Sequence, residues 1–506
     1  ATEKSVMFTC TSASHSGLTG SVALQGNGTG AAMGVCNGAA KSHTLKFDAN
    51  GQASMNLSYA EAGETNVLAS YTGTGAESGL SMSGDDNFIT VPKTLSMVAT
   101  GPYVAGTTAI TSPAALTVTA LNNNDQVMTA FGNEVNNPAR ITVSKAGQSP
   151  TGADANVVAP SIAMNNMASG LATGTLRWAE VGTLNLAASL NAGSVYNNAG
   201  IPVSGSVSSV GPFIPHHFDV EVTQGSSDLC TQVFTYSGES FKTQVTAQNA
   251  DGAKTVNYDG RSTMSAYFAK AVTLSGTSST GASGSLTGTA IAASDFAKGV
   301  ATVRPVYAFS AKATAPASIT LSAAENAPGT VNSSAGSAGV AKVRSGRLFL
   351  SNAFGSGRTI LRVPAQLQYW SGKAWVLNGD DNCSVIPNDA VILARYMDSR
   401  GVVSGAPWGN VTATGFTASA GQGSITLSAP ANGATGSIDL AVNLGDTSTD
   451  SSCLVSHPSG GKAQRAWLRG PHGACSGTGP FDPSARASMG VFAPETTRVM
   501  HAQDMY

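Results

Sequence analysis

Short runs in which apolar and polar residues alternate recur along the whole chain. Ala115-Leu-Thr-Val-Thr-Ala-Leu121, Thr243-Gln-Val-Thr-Ala247, Ser318-Ile-Thr-Leu-Ser322 and Ser424-Ile-Thr-Leu-Ser428 each set aliphatic side chains at every second position between Ser, Thr or Gln. A period of two belongs to a strand with one face on a core and the other in water. Clusters of Gly, Asn, Asp and Pro separate such runs at intervals of about ten residues, the spacing of antiparallel sandwiches. Windows with helical periodicity are few and are interrupted by glycine. The pattern predicts an all-β chain of tandem immunoglobulin-like β-sandwich domains in an elongated array.

Near-duplicate blocks sharpen this reading. Gly51-Gln-Ala-Ser-Met-Asn-Leu-Ser-Tyr59-Ala-Glu61-Ala-Gly63 lines up with Gly170-Leu-Ala-Thr-Gly-Thr-Leu-Arg-Trp178-Ala-Glu180-Val-Gly182, and Gly299-Val-Ala-Thr-Val-Arg-Pro-Val-Tyr307 reads as a more degraded copy. A second pairing sets Thr119-Ala-Leu-Asn122 through Phe131-Gly132 against Thr246-Ala-Gln-Asn249 through Tyr258-Asp-Gly260. The repeat is too long for a solenoid, whose units run about 20–50 residues, and suits serial sandwiches. Proline-marked crossings at Phe88-Ile-Thr-Val-Pro92 and Phe213-Ile-Pro215-His-His-Phe218, where the ring fixes φ, give expected domains at 1–91, 92–215, 216–345 and 346–506. The last holds four of the five tryptophans, Trp370, Trp375, Trp408 and Trp467.

Composition then narrows the setting. Of 506 residues only 11% are charged, and the net charge is −2. That is well under the roughly 25% of an ordinary soluble domain, so Ser, Thr, Asn, Gln and Gly cover the surface. No basic face exists to neutralise a phosphate backbone, which excludes nucleic acid as a partner. No apolar run is long enough to span a bilayer. The chain opens at Ala1-Thr2-Glu3-Lys4, which fits either a removed signal or a piece of a longer protein. Six well-separated cysteines, Cys10, Cys36, Cys230, Cys383, Cys453 and Cys475, contain no C-x-x-C and point to disulfides in an oxidising compartment. Many pairings are formally open. Short local loops favour Cys10–Cys36 and Cys453–Cys475, and Cys230–Cys383 follows by elimination, joining two expected domains.

The last 290 or so residues resemble a known family. Pro215-His-His-Phe218, Cys230 with Phe234-Thr-Tyr-Ser-Gly238, Gly346-Arg-Leu-Phe-Leu-Ser-Asn-Ala-Phe-Gly355, Gln368-Tyr-Trp-Ser-Gly372, Asn378 through Asp381-Asn-Cys383, and Asp482-Pro-Ser-Ala-Arg486-Ala-Ser-Met-Gly490 carry the likeness. Together they resemble the C-terminal region of MshQ-like proteins, encoded with the biogenesis genes of mannose-sensitive haemagglutinin (MSHA) type IV pili. The resemblance implies an extracellular protein of the bacterial surface or pilus. Its partners would be pilin or other filament subunits, copies of itself included, with a host or surface glycan as a further partner.

Candidate chemistry is sparse. No H-E-x-x-H, P-loop or G-x-S-x-G motif occurs, so a structural and adhesive protein is expected, without an enzyme's machinery or an obligatory cofactor. His216 and His217 are neighbours, and neighbours on a strand face opposite ways, which argues for a junction role over shared metal ligation. Asp85-Asp86-Asn87 and Asp380-Asp381-Asn382 suit Asx turns as well as oxygen ligation of Ca²⁺. Tyr369, Trp370 and Trp375 are candidate glycan contacts. A straight strand would put the two indoles on opposite faces, whereas a hairpin at Ser371-Gly372 would bring them together, and burial in a core is the competing assignment. Arg498 through Tyr506 reads as a terminal strand, either closing the last sandwich or pairing with a neighbour's open edge.

Overall fold

The computed structural model describes residues 2–16, 21–26, 34–261, 265–327, 329–334, 336–398, 402–404, 410–445, 461–471 and 480–490. Among them every regular element is a strand or a short 3-10 turn, and each of the four alternating runs falls in a strand: Ala114–Leu121, Lys242–Gln248, Ala317–Glu325 and Gln422–Leu427. The fold is all-β, with sandwiches in tandem.

The packing follows from the alternation. In the first sandwich the sheet order is Lys41–Phe47, Thr2–Ser12, Gly63–Thr72, Ser81–Thr90, opposite the strands Gly34–Val35, Ser21–Gly26 and Met55–Tyr59. Val6, Phe8 and Cys10 point inward while Ser5, Met7 and Thr11 face out. Cys10 is bonded to Cys36, which follows the second layer's Gly34–Val35 strand, so the disulfide staples the two layers. The second sandwich places Ser161–Met164, Leu171–Arg177, Ala114–Leu121 and Thr94–Thr100 against Ile141–Ser149, Gly182–Leu190 and Ser204–Phe213. Leu116 and Val118 of one layer and Leu184 and Leu186 of the other belong to a single core. The aromatic anchor Trp178 is fully buried, lies edge-on to Phe213 and donates its indole N–H to the Val158 carbonyl.

Contacts divide the chain into two compact units. One joins both of these sandwiches to 247–269 and 296–299. The other comprises 218–246, 270–295 and 300–506.

Within the first unit, the two repeated blocks turn out to be the two halves of one device, built twice. In its first copy the Asn122 amide donates to the Ala60 carbonyl at 3.1 Å, and the Glu61 carboxylate accepts from the Thr129 hydroxyl and the Ala130 N–H at 3.0 and 2.9 Å. In the second, the Asn249 amide donates to the Ala179 carbonyl at 3.0 Å, and Glu180 accepts from the Val256 and Asn257 N–H groups, each at 3.1 Å. Each asparagine also uses its own carbonyl oxygen to accept two backbone N–H bonds, from Asn124 and Gln126 in one copy and from Asp251 and Ala253 in the other. That shapes the loop so that the residues seven and eight positions on present their donors to the glutamate. The following glycine is conserved between copies for a backbone reason. Gly182 has φ +127°, and a Cβ there would sit 2.0 Å from the Ser149 carbonyl oxygen, while Gly63 has φ +155°. Side chains interlock around the first copy too. Ala62 is buried in the second sandwich's core, and Ala130 in the first's. The degraded third block keeps its strands at Val300–Val303 and Val306–Phe309 but has Phe309 where the others carry glutamate.

Most of a third sandwich lies in the second unit. The sandwich includes His217–Thr223, Lys242–Gln248 and Val300–Val303 in one sheet. The other sheet contains Thr235–Tyr236, Gly339–Arg344, Ala317–Glu325, Val272–Ser278 and Ala290–Ile291. The fourth pairs Gly346–Leu350, Leu361–Trp370, Gln422–Leu427 and Ala413–Thr414 in one sheet. The facing sheet runs Ala353–Gly355, Ser484–Met489, Gly436–Val442, Val391–Asp398, Val403–Ser404. Gly436–Val442 is buried along its whole length, Asp439 included. Asp439 lies directly opposite Arg486, which forks onto both of its oxygens at 2.7 and 3.2 Å.

Glu180 is buried and receives a further bond from the Asn156 amide at 2.8 Å, whereas Glu61 meets solvent at Thr129. Glu180→Ala strands several buried donors, so it should cost about 2–4 kcal/mol, and Glu61→Ala only about 1 kcal/mol. Denaturant unfolding of the two variants measures this, and equal losses would contradict the account.

Candidate functional site

The second unit gathers most of the candidate residues around one buried tyrosine. Phe234 and Tyr236 belong to the same core as Leu348, Leu367 and Leu440 of the fourth sandwich. The Tyr236 hydroxyl donates to Asp381 Oδ2 at 2.8 Å and accepts from the Asn378 amide at 2.7 Å, and all three residues are fully buried. Burial, with Asp381 beside it, pushes the phenol far above its ordinary value. Asp381 further accepts from the Cys383 and Ser384 N–H groups and the Ser384 hydroxyl. Cys383, two positions after Asp381, is bonded to Cys230 across 153 positions of sequence. Gly346 lies against the tyrosine so closely that a Cβ there would fall 2.2 Å from its ring. Glu239 accepts from the Tyr236 N–H and from Ser226, and its burial raises the carboxyl's pKa.

Arginines line the aromatic cluster, a feature the sequence reading did not single out. The Arg344 guanidinium lies between the rings of Phe234 and Tyr369, 4.7 and 4.8 Å from their centroids, while bonding Asn378 and pairing with Asp380 at 2.7 Å. Tyr369 is therefore capped by Arg344. Trp370 and Trp375 stand directly opposite each other on a hairpin that turns at Ser371-Gly372, with ring centroids 5.6 Å apart. They share one face and are half-buried, so neither the straight-strand placement nor burial in a core holds. Arg347 stacks over Trp375 at 4.6 Å and donates to the Gln368 side chain at 2.9 Å. Nearby, Lys312 donates to the Trp467 carbonyl, and burial pushes its amine down to about 8.

Two other sites differ from expectation. His216 and His217 bring their Nδ1 atoms within 2.9 Å, because the strand starts at His217 and its alternation does not extend to His216. His217 Nε2 meets Gln248 Oε1 at 3.1 Å, and burial together with His217 lowers the His216 pKa. Asp85, Asp86 and Asn87 form no turn. They lie inside the strand Ser81–Thr90, where Asp85 and Asn87 both accept from the Asn66 amide. Cys453, Cys475, Trp408 and the terminal segment 498–506 lie outside the described residues.

Fold and site together define a tandem array of immunoglobulin-like sandwiches, locked by disulfides and buried polar contacts. Three stretches match DUF6701, a domain of unknown function: its first, Ig-like domain over 1–85, its third over 180–345 and its fourth over 344–504. The chain thus carries DUF6701 domains over most of its length. No curated protein matches it. Among solved structures it is similar to invasin, a bacterial integrin-binding protein, at 12% identity and TM-score 0.32, covering 88% of this chain and 76% of that one. A protocadherin gammaB7 EC3-6 structure matches at 10% identity and TM-score 0.19, covering 93% of both chains. Domains 4–9 of the surface layer protein SbsC match at 11% identity and TM-score 0.16, covering 86% of this chain and 63% of that one.

Two measurements test the site. Tyr236→Phe leaves the buried Asn378 and Asp381 groups short of a partner and should cost about 2–3 kcal/mol in chemical unfolding; a loss under about 0.5 kcal/mol would refute the bridging role. Lys312 titrates near 8 folded against 10.5 unfolded. Below pH 8 both states hold the proton and the burial penalty is fully present; between the two values the unfolded state alone keeps it, so stability rises with pH. Lys312→Met should flatten that rise in unfolding curves collected from pH 7.5 to 10.5.

Proposed function

We propose that the chain is a non-enzymatic structural and adhesive protein of the bacterial surface, associated with an MSHA-like type IV pilus or another extracellular filament. The duplicated Asn–Glu junction carries this reading, since it uses polar groups to tie the first sandwich to the second and the second to the 249–257 loop. The other buried ionisable groups traced above act alike: Glu239, Asp381 and Asp439 end on hydrogen bonds that hold strands and loops together. Disulfides at Cys10–Cys36 and Cys230–Cys383 suit an oxidising, extracellular location. The likeness to MshQ-like proteins supplies the pilus setting and makes pilin or other filament subunits the expected partners.

A second reading, a carbohydrate-binding module, is favoured by the partly exposed Trp370–Trp375 pair, since indole surface packs on sugar C–H groups.

Shearing filaments from cells that express the full-length protein and probing the fractions with antibody tests the principal reading. The protein should sediment with filaments and label them in immunogold images. Recovery from the cytoplasm, or from the surface without filament labelling, would overturn the pilus assignment.

A further inference from the structure

The outward face of the fourth sandwich carries a row of groups that the folding account leaves unused. By register, Arg347 lies opposite Gln368, Phe349 opposite Gln366, Gln366 opposite Gln422, and Trp370 opposite Trp375. Alternation along Leu361–Trp370 sends Val363, Ala365 and Leu367 into the core and leaves Gln366, Gln368 and Trp370 on the outer side. Arg347 crosses this face. Its Nε donates to Gln368 Oε1, Gln368 in turn donates to Gln366 Oε1 at 2.9 Å, and the guanidinium lies 4.6 Å from the Trp375 centroid and 5.4 Å from that of Phe349.

Arg347 differs from the arginines around it. Arg344, Arg469 and Arg486 each meet an aspartate at 2.7 Å. Among the described residues no carboxylate pairs with Arg347, and its two terminal nitrogens have no hydrogen-bond partner. Burial disfavours its charge, yet guanidinium stays protonated in proteins. A half-buried cation, fixed by stacking and by Nε, thus presents the two-pronged edge that fits a carboxylate. Beside it stand two partly exposed indoles and amides able both to donate and to accept.

We propose that this face binds carboxylated saccharides, with the sugar carboxylate on the terminal nitrogens of Arg347, a pyranose ring against the Trp370–Trp375 pair, and hydroxyls on Gln366 and Gln422. The inference rests on the carbohydrate reading above and names its ligand class. Charge complementarity selects the acid, and the neighbouring indoles and amides select a sugar.

Isothermal titration of the full chain with two matched pairs tests it: sialyllactose against lactose, and tetragalacturonate against its methyl ester. The acid of at least one pair should bind tenfold or more tightly than its neutral partner, and which pair responds distinguishes a sialylated glycan from a uronate polymer. Arg347→Lys, which keeps charge but loses the fork, should weaken binding of the acid by about 10- to 100-fold without changing that of the neutral sugar, in protein whose melting temperature matches wild type. Equal affinity for acid and neutral forms, lost in Trp370→Ala, would overturn the carboxylate assignment while the carbohydrate reading stands. Absence of binding to all four sugars would overturn both. The wild-type comparison decides the matter even if a variant fails to fold.

Discussion

A carboxylate facing backbone N–H groups across a boundary between sheets is the constraint on which the first unit depends. Loops that connect strands present donors that no ladder satisfies, and burying them unpaired costs about 1–3 kcal/mol each. Glu180 accepts two such donors and a side-chain amide in a dry site, and Glu61 repeats the arrangement in a wetter one. The asparagine of each pair prepares the loop: its carbonyl oxygen folds the turn and its amide reaches back to the alanine before the glutamate. The two halves meet in both copies.

The second unit solves the same problem differently. One tyrosine hydroxyl bridges two buried polar groups, the aspartate it reaches organises the next turn, and a disulfide closes the same loop. Apolar packing surrounds the network, so each of its hydrogen bonds sits in a low-dielectric setting that strengthens it and penalises its loss. The outer surface of the adjoining sheet carries Arg347, glutamines and the two indoles.

Much of this was legible from residue order. The four alternating runs became strands because a period of two leaves a strand one way to bury its aliphatic side chains. The duplicated blocks were visible as blocks, but their meeting was not: Asn122 touches Ala60, and Asn249 touches Ala179, across separations that local pattern does not encode. The aromatic cluster was found by composition, and its arrangement hung on whether Ser371-Gly372 turned. Arg344 and Arg347 carry no local signature in the sequence, because an arginine in a strand gives no sign of the ring it will cover. His216 and His217 are the converse case: strand alternation predicts opposite faces, but the strand begins only at His217 and the two rings meet.

By itself the sequence determined the all-β class, the serial repetition and the sparse charge of the surface, since these depend on periodicity and composition, which act over a few residues. Tertiary structure alone decided which loop each glutamate satisfies, which arginine pairs with an aspartate and which is left facing outward, and that the two indoles share a face. Those outcomes depend on register and on long-range approach, where a shift of one position moves a side chain to the opposite surface.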